Sequence, residues 1–448
     1  MFNSTETRSL IALSFLYATR MLGLFMVLPV FALYADSYEG STVMLVGLAL
    51  GIYGLTQGVF QIPFGLLSDR IGRKPVIAGG MILFLAGSLL CAVAETAYAI
   101  ILGRALQGAG AVAGVVMALL SDVTREQNRT RAMAAIGGSI GLAFIVAMIT
   151  GPLVAQHWGM EGVFWLTSVL AGLGLLVVLV AVPNPLVRHS GHEVVPVPAM
   201  LGRVLRDGQL WRLNVGIFSL HFAQMATWVS VPVVLEQVLD FDRSRHWSLY
   251  LSTMVAGFVL MLPFIWYGET RRKMKPVFLF AVSLLAVAEL VMAGTGTALR
   301  QMVFGLVLFF MAFNLLEASL PSLVSKMAPA GIKGTAMGVY STSQFLGAFS
   351  GGVAGGVVAH FAGFAGVFWL SLAVVLVWLG MASTMDRPRN LRSVVVDLNS
   401  GAAVDSHRWV EHFSGVEDVV VIPGENLAYV KVDDEHFNEQ AFHQSLVK

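Results

Sequence analysis

Apolar residues run through most of this chain in blocks of about 20 or more, each long enough to cross a hydrocarbon core about 30 Å thick. The blocks fall near residues 10–34, 43–67, 76–95, 98–120, 131–157, 161–182, 210–239, 247–267, 275–295, 299–324, 333–359 and 363–383. Short clusters of charged residues, glycine or proline separate them. The pattern predicts twelve membrane-spanning helices. The longest polar break, 183–208, holds Pro183, Pro185, Gly191, Pro196 and Pro198, and it divides the spans six and six.

After Arg392 the periodicity changes. Residues 393–398 alternate as a strand does, and 405–413 read as a short helix. Residues 416–422 and 427–432 read as strands joined at Pro423-Gly424-Glu425-Asn426, and 433–446 as a helix. The order β-α-β-β-α predicts a small α+β domain of ferredoxin-like type. The expected organisation is a six-helix bundle at 1–182, a linker at 183–209, a second bundle at 210–385 and the small domain at 390–448. The fold class expected is thus an all-α membrane protein carrying a small α+β appendage.

Composition agrees. The chain is 56% hydrophobic and 12% charged, where soluble domains carry roughly 25% charged residues. Mean hydropathy is +0.76. A net charge of +1 offers nothing to nucleic acid, and the expected surroundings are a lipid bilayer. The single cysteine, Cys91, lies inside an apolar block, which excludes a disulfide framework or a thiolate metal site. No G-x-x-x-x-G-K-[ST] loop occurs, so no ATPase is encoded and no cofactor is expected. The first apolar block is long enough to span and stay, so no cleavable signal is expected. Basic loop residues, among them Arg70, Arg73, Lys74, Arg125, Arg129, Arg203, Arg272, Lys275, Lys326 and Lys333, gather on one face. The other face holds only Arg243, Arg245 and Arg300. The positive-inside rule then predicts that both termini are cytoplasmic.

The two sets of spans repeat one another at an offset of about 200 residues. Phe25 to Val30 aligns with Trp228 to Val233, each with a proline fifth (Pro29, Pro232). Pro63-Phe64 with Lys74-Pro75-Val76 parallels Pro263-Phe264 with Lys275-Pro276-Val277. Leu119-Leu120-Ser121, with Ala132-Met133, parallels Leu323-Val324-Ser325 with Ala336-Met337. Such a parallel repeat places two six-helix units around an axis along the membrane normal.

Between the second and third spans lies Gly65-Leu66-Leu67-Ser68-Asp69-Arg70-Ile71-Gly72-Arg73-Lys74. Gly72 can take a left-handed turn, Asp69 suits a helix N-terminus, and Arg70, Arg73 and Lys74 anchor the loop outside the hydrocarbon. This G-x-L-S-D-R-x-G-R-K pattern resembles the signature loop of the major facilitator superfamily, drug:H⁺ antiporter type. The resemblance implies twelve helices in two six-helix bundles, a bacterial inner-membrane location, and proton-driven export of a small molecule by alternating access. Proton-coupled uptake and a transporter-derived sensor reading through the C-terminal domain remain as alternatives. Oligomeric state is open.

Family motifs carry over residue by residue. Arg104-Ala105-Leu106-Gln107-Gly108-Ala109-Gly110 resembles the fourth-helix motif whose arginine is linked to proton coupling. Gly151-Pro152 matches the core of the fifth-helix antiporter motif, but Leu153-Val154 stand where a glycine pair usually follows. By the same resemblance, Asp122 pairs with the signature loop while Asp69 caps the eleventh helix.

Ionisable residues inside spans are costly and usually face a bundle interior or a water-filled cavity. Arg20, His221 and Glu317 are such residues, and with Arg104 they form the proton-coupling candidates. Histidine suits proton handling near neutral pH. Asn314 lies three residues before Glu317, on the same helical face. Glu289 is a weaker candidate because the ninth helix is peripheral in the family. Tyr53, Gln57, Gln61, Gln224, Trp228, Asn314 and Gln344 are candidates for a substrate cavity with apolar walls and a few polar groups.

Overall fold

A computed structural model describes residues 2–182, 201–294, 298–329, 333–386, 391–397, 414–421, 427–433, 437 and 442. The helices are α1 (Ser4–Val27), α2 (Phe31–Tyr34), α3 (Val43–Ile71), α4 (Arg73–Ala92), α5 (Ala97–Ala109), α6 (Ala113–Val123), α7 (Glu126–Val180), α8 (Leu201–Arg206), α9 (Gly208–Val233), α10 (His246–Thr270), α11 (Met274–Ala293), α12 (Leu299–Met327) and α13 (Lys333–Ser383). Among the described residues, ten helical stretches are long and apolar enough to span a membrane. Two of these, α7 and α13, are 55 and 51 residues long, about twice a membrane thickness. Each turns a corner at a glycine with positive φ, Gly159 (φ 64°) and Gly363 (φ 73°). A residue with Cβ resists that conformation, so the glycine sets the corner. Counting α7 and α13 as two spans each gives twelve.

The fourth span is not the continuous helix expected at 98–120. It breaks between Gly110 and Val112, leaving α5 and α6. The reason is packing: a Cβ on Gly110 would meet the backbone of Gly80 and Phe84 on α4. The chain passes that close only as glycine.

The two sets of spans meet along α3 and α13. An ideal Cβ on Gly51 would lie 2.7 Å from the Phe349 carbonyl oxygen, and one on Gly352 would lie 2.7 Å from that of Gly47. Backbone therefore rests on backbone here, which small residues allow. The contact runs from Gly47 to Gly58, while a Cβ on Gly65, further towards the basic loop, would meet nothing within 4 Å. The main buried core crosses between the sets, joining Met26, Leu50 and Met148 to Met225, Ala226 and Leu249.

The repeat extends to hydrogen bonds. Lys74 Nζ, at the start of α4, donates to the carbonyl oxygens of Leu179 and Val182, each at 3.0 Å, at the end of α7. Lys275 Nζ, at the start of α11, donates to Ser383 (3.1 Å) and Met385 carbonyls at the end of α13. A cation satisfies the last carbonyls of a helix and its negative dipole end.

At the C-terminus, β1 (Leu391–Asp397), β2 (Val416–Val421) and β3 (Leu427–Asp433) form one antiparallel sheet in the order β1-β3-β2. Val394 pairs with Val430, which pairs with Val419 on its other side. Val394, Val396, Val416, Ala428, Val430, Val432 and Phe442 form its core. The expected helix at 405–413 and turn at 423–426 lie outside the described residues, as does most of 433–446 and of the linker, where α8 is described. Lys431 Nζ donates to the Lys326 carbonyl at 2.7 Å, tying β3 to the end of α12.

Candidate functional site

Four groups of polar side chains interrupt the apolar packing. The first is the signature loop. Gly72 joins α3 to α4 with φ 102° and ψ 154°, and its N–H donates to the Ser68 carbonyl at 3.1 Å. That sharp turn aims Arg73 back under α3. Its guanidinium lies 2.5 Å from Asp69 Oδ1 and 3.2 Å from Asp122 Oδ2, and donates to Ser68 Oγ at 2.6 Å. Arg73 is buried and its two carboxylates are charge-assisted partners, the stronger class of hydrogen bond. Arg70 is exposed. Asp69 thus turns to Arg73, whereas the entry to α13, at 330–332, lies outside the described residues. All members of this cluster belong to the first six spans.

A neighbouring clamp went unnoticed in the sequence. Asn3 and Glu6 form a capping box at α1, and Glu6 also receives Arg125 Nε (3.0 Å), Arg125 Nη2 (3.0 Å), the Arg125 N–H (2.8 Å) and Asn128 Nδ2 (3.2 Å). It pins the start of α1 to the start of α7. The Asn-x-x-Glu spacing ahead of an apolar run was the available signal.

The second group surrounds Tyr53 on α3. Arg20 Nη2 donates to the Tyr53 hydroxyl at 3.0 Å and to Gln57 Oε1 at 2.5 Å. Arg104 lies over the other aspect of the same residue, its guanidinium carbon 5.0 Å from the Tyr53 ring centroid. Arg104 donates from Nη1 to Gln107 Oε1 (2.8 Å) and from Nε to the Ala49 carbonyl (3.4 Å), and Gln107 passes on to Ser88 Oγ (2.8 Å). Both arginines are at most 2% exposed. Gln61 is one turn further along α3, its Oε1 buried without a hydrogen-bond partner.

The third group lies on the last six spans. Gln344 Nε2 on α13 is 2.8 Å from His221 Nε2 on α9 and 3.4 Å from Glu317 Oε1 on α12. Glu317 Oε2 lies 3.8 Å from His221 Nε2. The Glu317 side chain retains 39% of its accessibility although it sits among these three helices, so it faces internal space rather than packed core. Asn314 is half-buried and Gln224 buried nearby in sequence. Trp228 instead joins an aromatic cluster with Tyr250 (centroids 5.3 Å) and Phe310 (6.4 Å). Glu289, expected at the periphery, is fully buried and accepts from Thr227 Oγ1 at 3.3 Å, because α11 presents it inward to α9. Gly151 and Pro152 are buried, and Gly151 packs α7 directly on the backbone of Met26 in α1.

The fourth group lies at the end opposite the signature loop. Arg243 pairs with Glu236 (2.9 and 3.0 Å) and lies over the Tyr34 ring, 4.7 Å from its centroid, so it bridges from the last six spans to the first. Asp242 accepts from the Ser244 N–H at 2.7 Å, and its hydrogen bonds to Ser244 hold its carboxyl below the usual range. They also fix the turn that carries Arg243. No cluster of metal-ligating side chains occurs among the described residues.

Residues 13–352 match the family model described as Major Facilitator Superfamily. The chain belongs to the major facilitator superfamily. It is a multi-pass membrane transport protein and not an enzyme. The chain is 46% identical over 446 residues to the inner membrane transport protein YajR of Escherichia coli (strain K12), covering 98% of both chains. It is 29% identical over 367 residues to the multidrug resistance protein MdtH of Aeromonas salmonicida (strain A449), covering 79% of this chain and 88% of that one. Among solved structures it resembles a bacterial homolog of the human lysosomal transporter Spinster, in an inward-facing and occupied conformation. The TM-score is 0.65 at 14% identity, over 86% of this chain and 96% of the other. At that identity the likeness shows the superfamily fold alone.

Proposed function

We propose that this protein is a proton-coupled secondary active transporter that exports small molecules from the cytoplasm across a bacterial inner membrane. The observation that carries this reading is the cluster of Glu317, His221 and Gln344, an acid facing internal space beside a buried imidazole, with no lysine or arginine among these contacts. A carboxyl held there without a cation is suited to bind and release a proton as access alternates. The relatives support location and direction, one being an inner membrane transport protein and the other a multidrug resistance protein. Basic residues gathered on the signature-loop face support cytoplasmic termini.

In this reading residues 1–182 and 210–385 act as two bundles, 183–209 links them, and 390–448 form a cytoplasmic ferredoxin-like domain. Its split arrangement, β3 between β1 and β2 and antiparallel to both, supports that fold. The bundles touch at the end bearing Arg243 and Tyr34, while a Cβ on Gly65 would meet nothing within 4 Å, and together these support an inward-open state. When the basic ends close, Asp69 leaves Arg73 for the N-terminus of α13, where backbone N–H groups favour an anion. Arg104, Arg20 and Gln57, buried in this state, belong in this reading to the first-bundle side of the pathway, with Gln61 one turn further along α3.

The test is flux in proteoliposomes containing a pH dye, with lipophilic drugs added against an imposed proton gradient. Substrate-dependent proton flux by the native protein, reduced at least tenfold by Glu317→Gln, is the expected result. Equal flux in the variant refutes Glu317 as the proton carrier.

A further inference from the structure

Arg20 and Arg104 carry two permanent positive charges into the interior of the first six spans, and no acid in that interior answers them. Every acidic residue of α1, α3, α4, α5, α6 and α7 sits near a helix end or corner: Glu6 is held by Arg125, Asp69 and Asp122 by Arg73, Glu126 opens α7 and Glu161 follows its corner at Gly159. The acceptors that the two arginines do have are neutral: Tyr53, Gln57, Gln107 and the Ala49 carbonyl. Ring faces help only in part, with Phe84 5.8 Å from Arg20 and Tyr53 5.0 Å from Arg104. Three buried N–H-bearing nitrogens find no acceptor in the protein: Arg20 Nε, Arg20 Nη1 and Arg104 Nη2. Gln57 Nε2 is a fourth, on a residue that is fully buried.

A buried guanidinium without a counter-charge is costly, and its unsatisfied N–H groups add to that cost. Arg20 therefore keeps two separate unfilled donors, Nε and Nη1, beside the unfilled amide donor of Gln57, with no negative group among their partners. Carboxylate, sulfonate or phosphate oxygens are the acceptors that would satisfy such donors and their charge together, through charge-assisted hydrogen bonds. Arg104, across the Tyr53 ring, adds positive potential to the same place.

We infer that Arg20, with Gln57 and Tyr53, is a binding subsite for the anionic group of the transported molecule, so that the substrate is an organic anion. This rests on the transporter reading above but not on proton coupling. Exporting an anion while a proton enters moves charge in the same sense, so an inside-negative potential drives both.

The experiment uses the full chain in nanodiscs of phosphatidylcholine, whose headgroups carry no net charge. Thermal unfolding is followed with benzenesulfonate, benzyltrimethylammonium or benzyl alcohol at constant sodium chloride. Benzenesulfonate should raise the native unfolding midpoint by about 2 °C or more at saturation, and the cation and alcohol should not. Arg20→Gln should lose the shift and Arg20→Lys, which keeps the charge, should retain part of it. If Arg20→Gln does not fold, Gln57→Leu serves in its place, and a weakened shift is expected. A sulfonate effect no larger than that of benzyl alcohol, or one undiminished in the folded variants, overturns the subsite. Sulfonate binding without any proton-linked flux would keep the subsite and refute the coupling. Coupled flux of a cation without sulfonate binding would do the reverse.

Discussion

Placing a methyl group at Gly352 forces the two bundles apart at the end where they now touch. A Cβ there lies 2.7 Å from Gly47 O, 2.9 Å from Gly51 N and 3.0 Å from Gly51 Cα. All three are backbone atoms of α3, so no side chain can rotate away. Ordinary contact begins at 3.4 Å, which leaves the closest pair 0.7 Å too near (3.4 less 2.7). Overpacking of this kind costs about 1–3 kcal/mol. The cost falls on the state closed at this end and is relieved in the state open there, so the ratio of states shifts by about 5- to 150-fold. Spin labels at Gln156→Cys and His360→Cys report the opening, because both exposed residues precede the glycine corners of α7 and α13 at that end. The native Cys91 is fully buried and adds no background. Gly352→Ala should move most of the distance distribution to a longer peak, and Gly380→Ala, where a Cβ meets nothing within 4 Å, should leave it unchanged. An unaltered distribution in well-expressed Gly352→Ala protein would show that the α3–α13 contact does not gate the transporter.

Gly65→Ala carries the opposite expectation: with open space around it here, the added methyl should be tolerated in this state and penalise only the one closed at the basic end, shortening the same label distance on average. Asp69→Asn should abolish transport while membrane insertion and yield stay native, since it removes the anion that the proposed mechanism exchanges between Arg73 and α13; full transport by the variant sinks that exchange. Glu6→Gln should lower stability by about 1.5–3 kcal/mol, the range for hydrogen bonds to a charged group, through loss of the bidentate pair with Arg125. Chemical denaturation in detergent reads it, and a change within 0.5 kcal/mol contradicts the clamp.

The spans were legible because hydropathy alone decides what lies in hydrocarbon, and the proline and lysine repeats at an offset of about 200 survive in the folded chain as matched helix caps, Lys74 on α7 and Lys275 on α13. What hydropathy cannot report is which side of a helix meets which neighbour. The break at Gly110 follows from the approach of α4, and a Gly-Ala-Gly run inside an apolar block gives no warning of it. Trp228 shared the pattern of a cavity residue and went to an aromatic cluster instead, since a large ring is accommodated equally well by either environment.

Charge is where sequence and structure inform each other most. The sequence identifies Arg20, Arg104, His221 and Glu317 as expensive residues, because any ionisable group in an apolar block demands a reason. It does not say whether they neutralise one another, as an Arg–Glu pair across the bundles would. The hydrogen bonds answer otherwise. The arginines turn to Tyr53, Gln57 and Gln107 within the first six spans, and the acid turns to His221 and Gln344 within the last six. Had they paired across the interface, the pair would have resisted the rocking of one bundle on the other, since separating buried partners costs about 3–5 kcal/mol. Held apart, each bundle keeps its own polar cluster intact as the bundles move. In the proposed reading the arginine side then takes the anion and the carboxyl side the proton, and the two events couple through motion of the bundles rather than through direct contact.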